Sequence, residues 1–253
     1  MSAHKRIPRR FGLRGTASSP PAVAPLLAGL LLVAFVLFPS FTAAAAGRGE
    51  DQSESATNES DEQVPSLRGG SRERGAADIP DGYERAVFAG GCFWCMEPPF
   101  DDLEGVYAIT SGFTGGDVEN PTYRQAVSGS TGHVEAVEVI FDPSLVGYEE
   151  LIDIFWVNVD PLDDGGQFCD RGSVYRSGIF FEGEEQERIA EQSRLLLEES
   201  GRFDSDIVTE IRELDAFYPA EEEHQSYYTK KPIRYRFYRT SCGRDNRLEE
   251  LWG

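Results

Sequence analysis

Hydrophobic positions along this chain fall into three regimes. An apolar stretch from Ala22 to Phe38 follows Lys5, Arg6, Arg9, Arg10 and Arg14 and precedes the small residues Ala43 to Ala46. Basic, then apolar, then small is the order of a signal peptide, predicted over residues 1–46. The apolar stretch approaches membrane-spanning length, so an uncleaved membrane anchor is the alternative. Residues 47–82 are rich in Glu, Asp, Ser, Gly and Arg and carry almost no large apolar groups. Such a segment cannot bury enough surface to offset chain entropy, and an acidic disordered linker is expected there.

From residue 83 onward the pattern becomes that of a folded domain, expected to span 83–253. Arg85 to Ala89 reads as a short buried strand and Cys92 to Leu103 as the following helix, with a distortion or break at Pro98 and Pro99. Strands are predicted at Val106 to Thr110, His133 to Phe141, Ser177 to Phe181 and Ile207 to Leu214. Helical spacing marks Tyr148 to Val157 and Glu184 to Glu199, and a short helix is expected around Ala220 to Tyr228 before an irregular C-terminal tail. Strands separated by helices, with one strand pair lacking a long connection, predict an α+β two-layer sandwich built on a split βαβ, ferredoxin-like unit.

Charge narrows the range of partners. The chain carries a formal net charge of −20, and removing the five basic residues of the leader leaves 19 basic against 44 acidic residues, or −25. Nucleic acid is excluded as an expected partner, and a strongly solvated surface is the simplest account. All four cysteines, Cys92, Cys95, Cys169 and Cys242, lie in the folded domain. That is too few for a disulfide scaffold, and redox chemistry explains them better.

The densest chemistry lies in Gly90-Gly91-Cys92-Phe93-Trp94-Cys95-Met96-Glu97. Cys92 falls between a strand and the first turn of a helix, where free N–H groups and the helix dipole favour a thiolate. Phe93 and Trp94 supply an aromatic wall suited to an apolar substrate group such as a methyl. His133 and His224 read as structural hydrogen-bonding residues, since neither belongs to a zinc-like ligand spacing, and no metal or organic cofactor is expected. Gly112, Gly115 and Gly116 lack the spacing of a phosphate loop and are expected to shape a turn at the pocket rim.

Gly-Cys-Phe-Trp-Cys is followed by Gly112 to Gly116 (GFTGG), Asn120 to Tyr123 (NPTY), Gly132 to Val137 (GHVEAV), Asp170-Arg171-Gly172, Tyr175-Arg176-Ser177 and His224-Gln225. In this order the motifs resemble the peptide methionine sulfoxide reductase A family, over about residues 83 to 253. The resemblance implies that Cys92 attacks the sulfoxide sulfur and Glu135 donates a proton to its oxygen. It further implies that Tyr123 and Tyr175 are hydroxyl donors to that oxygen and that Asp170 helps form the pocket. Methionine-S-sulfoxide, free or within oxidised proteins, would be reduced to methionine. Cys92 would be left as a sulfenic acid, and a second cysteine would condense with it to a disulfide recycled by a thioredoxin-like donor.

Cys242, Cys169 and Cys95 compete for that second role; Cys242 is favoured because its tail is polar and contains glycine. The chain departs from the commoner pattern at Phe113, at Cys169-Asp170-Arg171-Gly172 and at Val174. A thiol-disulfide oxidoreductase using Cys92 and Cys95 is the rival enzyme, and a secreted module with structural disulfides is a third reading. Both leave Glu135 and the tyrosines without a task. The leader places the protein in a periplasm or other extracytoplasmic space, or anchors it to a membrane.

Overall fold

The structure is a computed structural model that describes residues 79–253. The leader expected over 1–46 and all but the last few residues of the linker expected over 47–82 lie outside the described residues. Strand β1 (Glu84–Gly90) runs into two single-turn helices, α1 (Phe93–Met96) and α2 (Pro98–Asp101). Strand β2 (Val106–Thr114), helix α3 (Tyr123–Val127), strand β3 (Val134–Phe141) and helix α4 (Tyr148–Trp156) follow. A tight pair, β4 (Gly166–Gln167) and β5 (Asp170–Arg171), precedes β6 (Ser177–Phe181), helix α5 (Gly183–Glu199), β7 (Glu210–Glu213) and β8 (Phe217–Pro219). Three helices close the domain: α6 (Tyr227–Lys230), α7 (Pro232–Cys242) and α8 (Arg244–Trp252).

The main sheet has the order β7-β6-β1-β3-β2-β8. Its central four strands are antiparallel in the order β6-β1-β3-β2, which is the interleaving of a split βαβ unit and bears out the predicted class. Helix α5 carries the chain from β6 to a parallel β7 at one edge, while β8 adds antiparallel to β2 at the other.

Strand alternation divides the core. Ala86 and Phe88 of β1 enter a large cluster with Leu151, Ile152 and Phe155 of α4. Val87 and Ala89 face the other way, with Val134, Ala136 and Phe180. Phe88 is the hub of the first cluster, its ring stacked with Phe100 at 5.4 Å and Phe155 at 5.3 Å. These contacts fix the end of β1, and therefore the residue that follows it.

The break expected at Pro98 and Pro99 is found: the helix predicted from Cys92 to Leu103 divides in two at Pro98, which takes the first position of α2 where its missing N–H costs nothing. Other elements differ from the sequence expectation. Strand β2 continues past Thr110 to Thr114 because Gly112, without a side chain, admits β8: an added Cβ would lie 2.4 Å from the Tyr218 carbonyl oxygen. The strand predicted at Ile207 to Leu214 is confined to Glu210–Glu213, and the helix expected around Ala220 to Tyr228 forms at Tyr227–Lys230.

The larger correction concerns the tail, expected to be irregular and found as α7 and α8, separated by Gly243 in the left-handed region at φ 71°. Only Tyr235 in α7 and Arg244 and Leu251 in α8 are buried, so the apolar stripe is too thin to show as helical periodicity. Pro232 opens the first of these helices and Gly243 caps it.

Candidate active site

The site forms where β1 ends. Gly91 adopts φ +80°, and a Cβ there would lie 2.6 Å from Gln167 Cβ, so only glycine turns the chain to set Cys92 at the N-cap of α1. Cys92 is 6% exposed. On the neighbouring strand β3, Glu135 is fully buried and its Oε2 accepts the Phe93 backbone N–H at 3.1 Å. A carboxyl group thus takes the helix N–H that the sequence offered to the thiolate.

That competition decides the electrostatics. Burial pushes the Glu135 carboxyl up to about 8, with the charges of Asp170 and Cys95 adding to the shift and the Phe93 N–H opposing it. Glu135 therefore carries a proton at neutral pH. The Cys92 thiol is also raised well above its ordinary value, first by burial and then by its hydrogen bond to Cys95. Here the structure corrects the sequence expectation, because desolvation outweighs a helix dipole generated by a single turn. Cys95 moves the other way, to about 6, because it accepts the Cys92 hydrogen bond and lies in the field of Arg244 and Arg239. One negative charge is shared by the thiol pair and resides on Cys95.

The segment after α4 delivers the remaining expected residues. Asp170, in the β4–β5 pair, accepts a hydrogen bond from the Tyr238 hydroxyl, and burial raises its carboxyl. Tyr175 ends a 3-10 turn, and its hydroxyl is hydrogen-bonded to Tyr123. Burial, with the negative field of Glu135 behind it, pushes Tyr123 up to about 12 and Tyr175 higher still, so both remain O–H donors. Phe93 is buried beneath the site against Phe113, while Trp94 is half-buried at its edge.

The C-terminal helices contribute what sequence reasoning missed. Tyr238 of α7 has its hydroxyl within hydrogen-bonding reach of Cys92 as well as Asp170. Tyr227 of α6 stacks on Trp94 with ring centroids 3.8 Å apart and an interplanar angle of 8°. His224 stacks on Tyr123 at 4.3 Å, and burial lowers its pKa. His133 bridges Gly116 N–H and the Val118 carbonyl, a structural role. The helical pattern at Tyr235 and Tyr238 was the available signal, obscured by the interleaved arginines.

The three candidate partners of Cys92 are separated by the fold. Cys169 and Cys242 form a disulfide with a Cα–Cα distance of 4.9 Å, whereas Cys92 and Cys95 are free. Cys242, favoured from the sequence as the second thiol, ends a helix and is bonded to Cys169. Cys169, Asp170 and Cys242 place their ligand atoms within 4.8 Å of one another, but the bond between the sulfurs removes two of the three ligands a metal would need. A cavity of about 270 Å³ between Glu97, Asp101, Tyr107, Tyr228 and Lys230 has none of the groups around Cys92 in its lining.

A buried thiol–thiolate pair beside a protonated carboxyl and two fixed phenols defines a thiol-dependent reductase, because it can give two electrons from sulfur and a proton from the carboxyl group to one acceptor. The comparisons identify which kind. The family model described as "Peptide methionine sulfoxide reductase" matches residues 84–253. A peptide methionine sulfoxide reductase MsrA of Streptococcus agalactiae serotype Ia is 53% identical over 169 residues, 67% of this chain and 99% of the relative. Its counterpart from Bacillus licheniformis is 51% identical over 170 residues, 67% of this chain and 94% of the relative.

Among solved structures, methionine sulfoxide reductase A of Corynebacterium diphtheriae matches with a TM-score of 0.56 and 36% identity, covering 61% of this chain and 77% of that one. Mxr1 from Saccharomyces cerevisiae in reduced form also gives a TM-score of 0.56, at 27% identity, covering 61% and 88%. The chain belongs to the peptide methionine sulfoxide reductase family, and its activity is the reduction of methionine sulfoxide.

The charge distribution in the thiol pair has a direct readout. With Cys169 and Cys242 bonded, thiolate absorbance should rise in one step near pH 6 and a second well above pH 9. Cys95→Ser should abolish the lower step, and Arg244→Met should move it upward by about one unit, the scale of a nearby charge. A single step near pH 8.5 in the unsubstituted protein would contradict the assignment.

Proposed function

We propose that the protein reduces the S epimer of methionine sulfoxide, free or within oxidised proteins, by attack of Cys92 on sulfur with Glu135 as the acid. The observation that carries this reading is the fully buried, protonated Glu135 held against the N-terminus of the helix that Cys92 caps. As Cys92 attacks, its proton passes to the Cys95 thiolate that already accepts its hydrogen bond. The attack joins the two sulfurs while Glu135 protonates the sulfoxide oxygen, which Tyr123 and Tyr175 hold by their hydroxyls. The resulting hydroxyl then transfers to the Cys92 sulfur as its bond to the methionine sulfur and the sulfur–sulfur bond both break, so methionine leaves reduced by two electrons and Cys92 is left as a sulfenic acid, oxidised by two.

Cys95 then attacks the Cys92 sulfenic acid, forming a disulfide and releasing water. A thioredoxin-like dithiol restores both thiols and leaves oxidised. Cys95 is assigned this step in preference to Cys242 and Cys169 because it is the free thiol hydrogen-bonded to Cys92. The same pair would suit a thiol-disulfide oxidoreductase, but that reaction leaves Glu135 and both tyrosines idle. Insulin reduction slower than sulfoxide reduction by orders of magnitude is the expected discrimination.

The pH profile follows from the two working forms. Cys95 must be ionised, so kcat/KM gains as pH rises through about 6; Glu135 must be protonated, so it falls as pH rises through about 8. The expected curve is a bell between those values. Glu135→Gln should cost about 10²–10⁴-fold in rate with the fold retained and should erase the alkaline limb. A near-normal rate in the folded variant would remove Glu135 from the mechanism.

Resolution at Cys95 predicts that Cys95→Ser still reduces about one equivalent of sulfoxide per enzyme without added thiol, more slowly because the base for the Cys92 proton is gone, accumulates a sulfenic acid at Cys92 and loses thioredoxin-supported turnover. Cys242→Ser should keep cycling. The opposite pattern would return the role to Cys242.

The basic, apolar and small residues of the leader support export to a periplasm or equivalent space, with membrane anchoring as the alternative. Cell fractionation should find the protein in the extracytoplasmic or membrane fraction. A cytoplasmic pool beginning at Met1 would refute export.

A further inference from the structure

Helix α7 has two faces of different character. The inner face carries Tyr235, buried, and Tyr238, which reaches Cys92. The outer face carries Ile233 and Phe237, one helical turn apart, 79% and 75% exposed and the most exposed large apolar side chains among the described residues. Lys231, Arg234 and Arg236 surround them, all exposed and in no ion pair among the described residues. Nearby cations are paired instead: Lys230 with Glu222, Arg239 with Asp245 and Arg247 with Asp160. The segment Tyr227–Gly243 holds five cations and no carboxylate in a chain of net charge −20.

We propose that this outer face of α7 is a docking surface for polypeptide substrates, selecting methionine sulfoxides flanked by acidic and apolar residues. The inference rests on the reductase reading above. A helix is about 10–12 Å across, so the outer face lies about that far beyond the inner one that meets Cys92. An extended chain rounds half the helix circumference, roughly 16–19 Å, in about five or six residues, which puts the flanks of a bound sulfoxide on Ile233, Phe237 and the free cations.

Charge complementarity selects the acidic flank, and screening over about 8–10 Å lets a single strand feel the patch alone. An anionic membrane has the same chemistry at its surface but would also face the acidic remainder of the domain, and two apolar side chains anchor too little area. A reductant needs no sequence-selective flank.

The test is steady-state kinetics supported by dithiothreitol, which removes the protein reductant. Substrates are peptides bearing methionine-S-sulfoxide with Asp-Leu or Lys-Leu flanks about five or six residues away, and N-acetyl-methionine sulfoxide as the flank-free control. The acidic peptide should show kcat/KM about five- to tenfold above the basic one at low salt, converging above about 0.5 M salt, as expected for a few partly screened charge pairs. Lys231→Glu/Arg234→Glu/Arg236→Glu should invert the preference, and Ile233→Ser/Phe237→Ser should weaken both peptides, with the control unchanged in each.

Equal peptide rates in the unsubstituted protein would overturn the proposal. So would charge reversal that leaves peptide kinetics intact while abolishing binding to phosphatidylglycerol vesicles, or while raising only the KM for thioredoxin in a parallel assay. Failure of the reductase reading is distinct, since N-acetyl-methionine sulfoxide would then not be reduced at all.

Discussion

The guanidinium of Arg244 is the point on which the site and the C-terminal helices both depend. Only 1% exposed, it donates to the Gly90 carbonyl at 3.1 Å, the Asn158 carbonyl at 2.7 Å and Met96 Sδ at 3.0 Å, with the Phe168 ring 4.4 Å from its carbon. Those partners belong to the end of β1, the loop after α4, α1 and the loop before β5. A buried cation ordinarily needs an anion, and none of these partners is one. Its field falls instead on Cys95 and Asp170, where it favours the charged forms. The cost of burying the charge and the low pKa of the thiol are two aspects of one arrangement.

The sheet explains why Glu135 and Cys92 meet at all. Strands β1 and β3 are central neighbours, so the residue leaving the end of one lies beside the side chains of the other. All eight residues of β3 are buried, which leaves Glu135 no water with which to share its charge. A carboxyl at the same sequence spacing on an edge strand would ionise at its ordinary pH. The protonated state of this carboxyl at neutral pH is a property of strand order as much as of residue type.

Much of this was legible in the sequence because it lay in local signals. A short apolar run at Arg85 to Ala89 and alternation at His133 to Phe141 marked the central strands, and the position of Cys92 between strand and helix marked the site. What was not legible depended on contacts distant in sequence. The thiolate's position required knowing that Glu135 takes the Phe93 N–H and that Arg244 stands beside Cys95. Tyr238 was hidden because α7 buries little apolar surface, so its side chains alternate aromatic and basic without a hydrophobic stripe. The disulfide between Cys169 and Cys242 could not be read from spacing, since four cysteines allow three pairings.

Arg244 and Gly90 are 154 positions apart, and the Arg244 contact with Met96 spans 148. A ribosome therefore exposes the thiols long before it makes Arg244, whose charge adds to the Cys92 hydrogen bond in lowering the Cys95 pKa. Until α8 docks, Cys95 can accept the Cys92 hydrogen bond but lacks the Arg244 charge, so a larger share of it stays protonated at neutral pH. Long-range closure of this kind forms late in folding, after local turns and hairpins. Part of the Cys95 reactivity is thus tied to chain topology, since the guanidinium that favours its thiolate arrives with the last of the described helices.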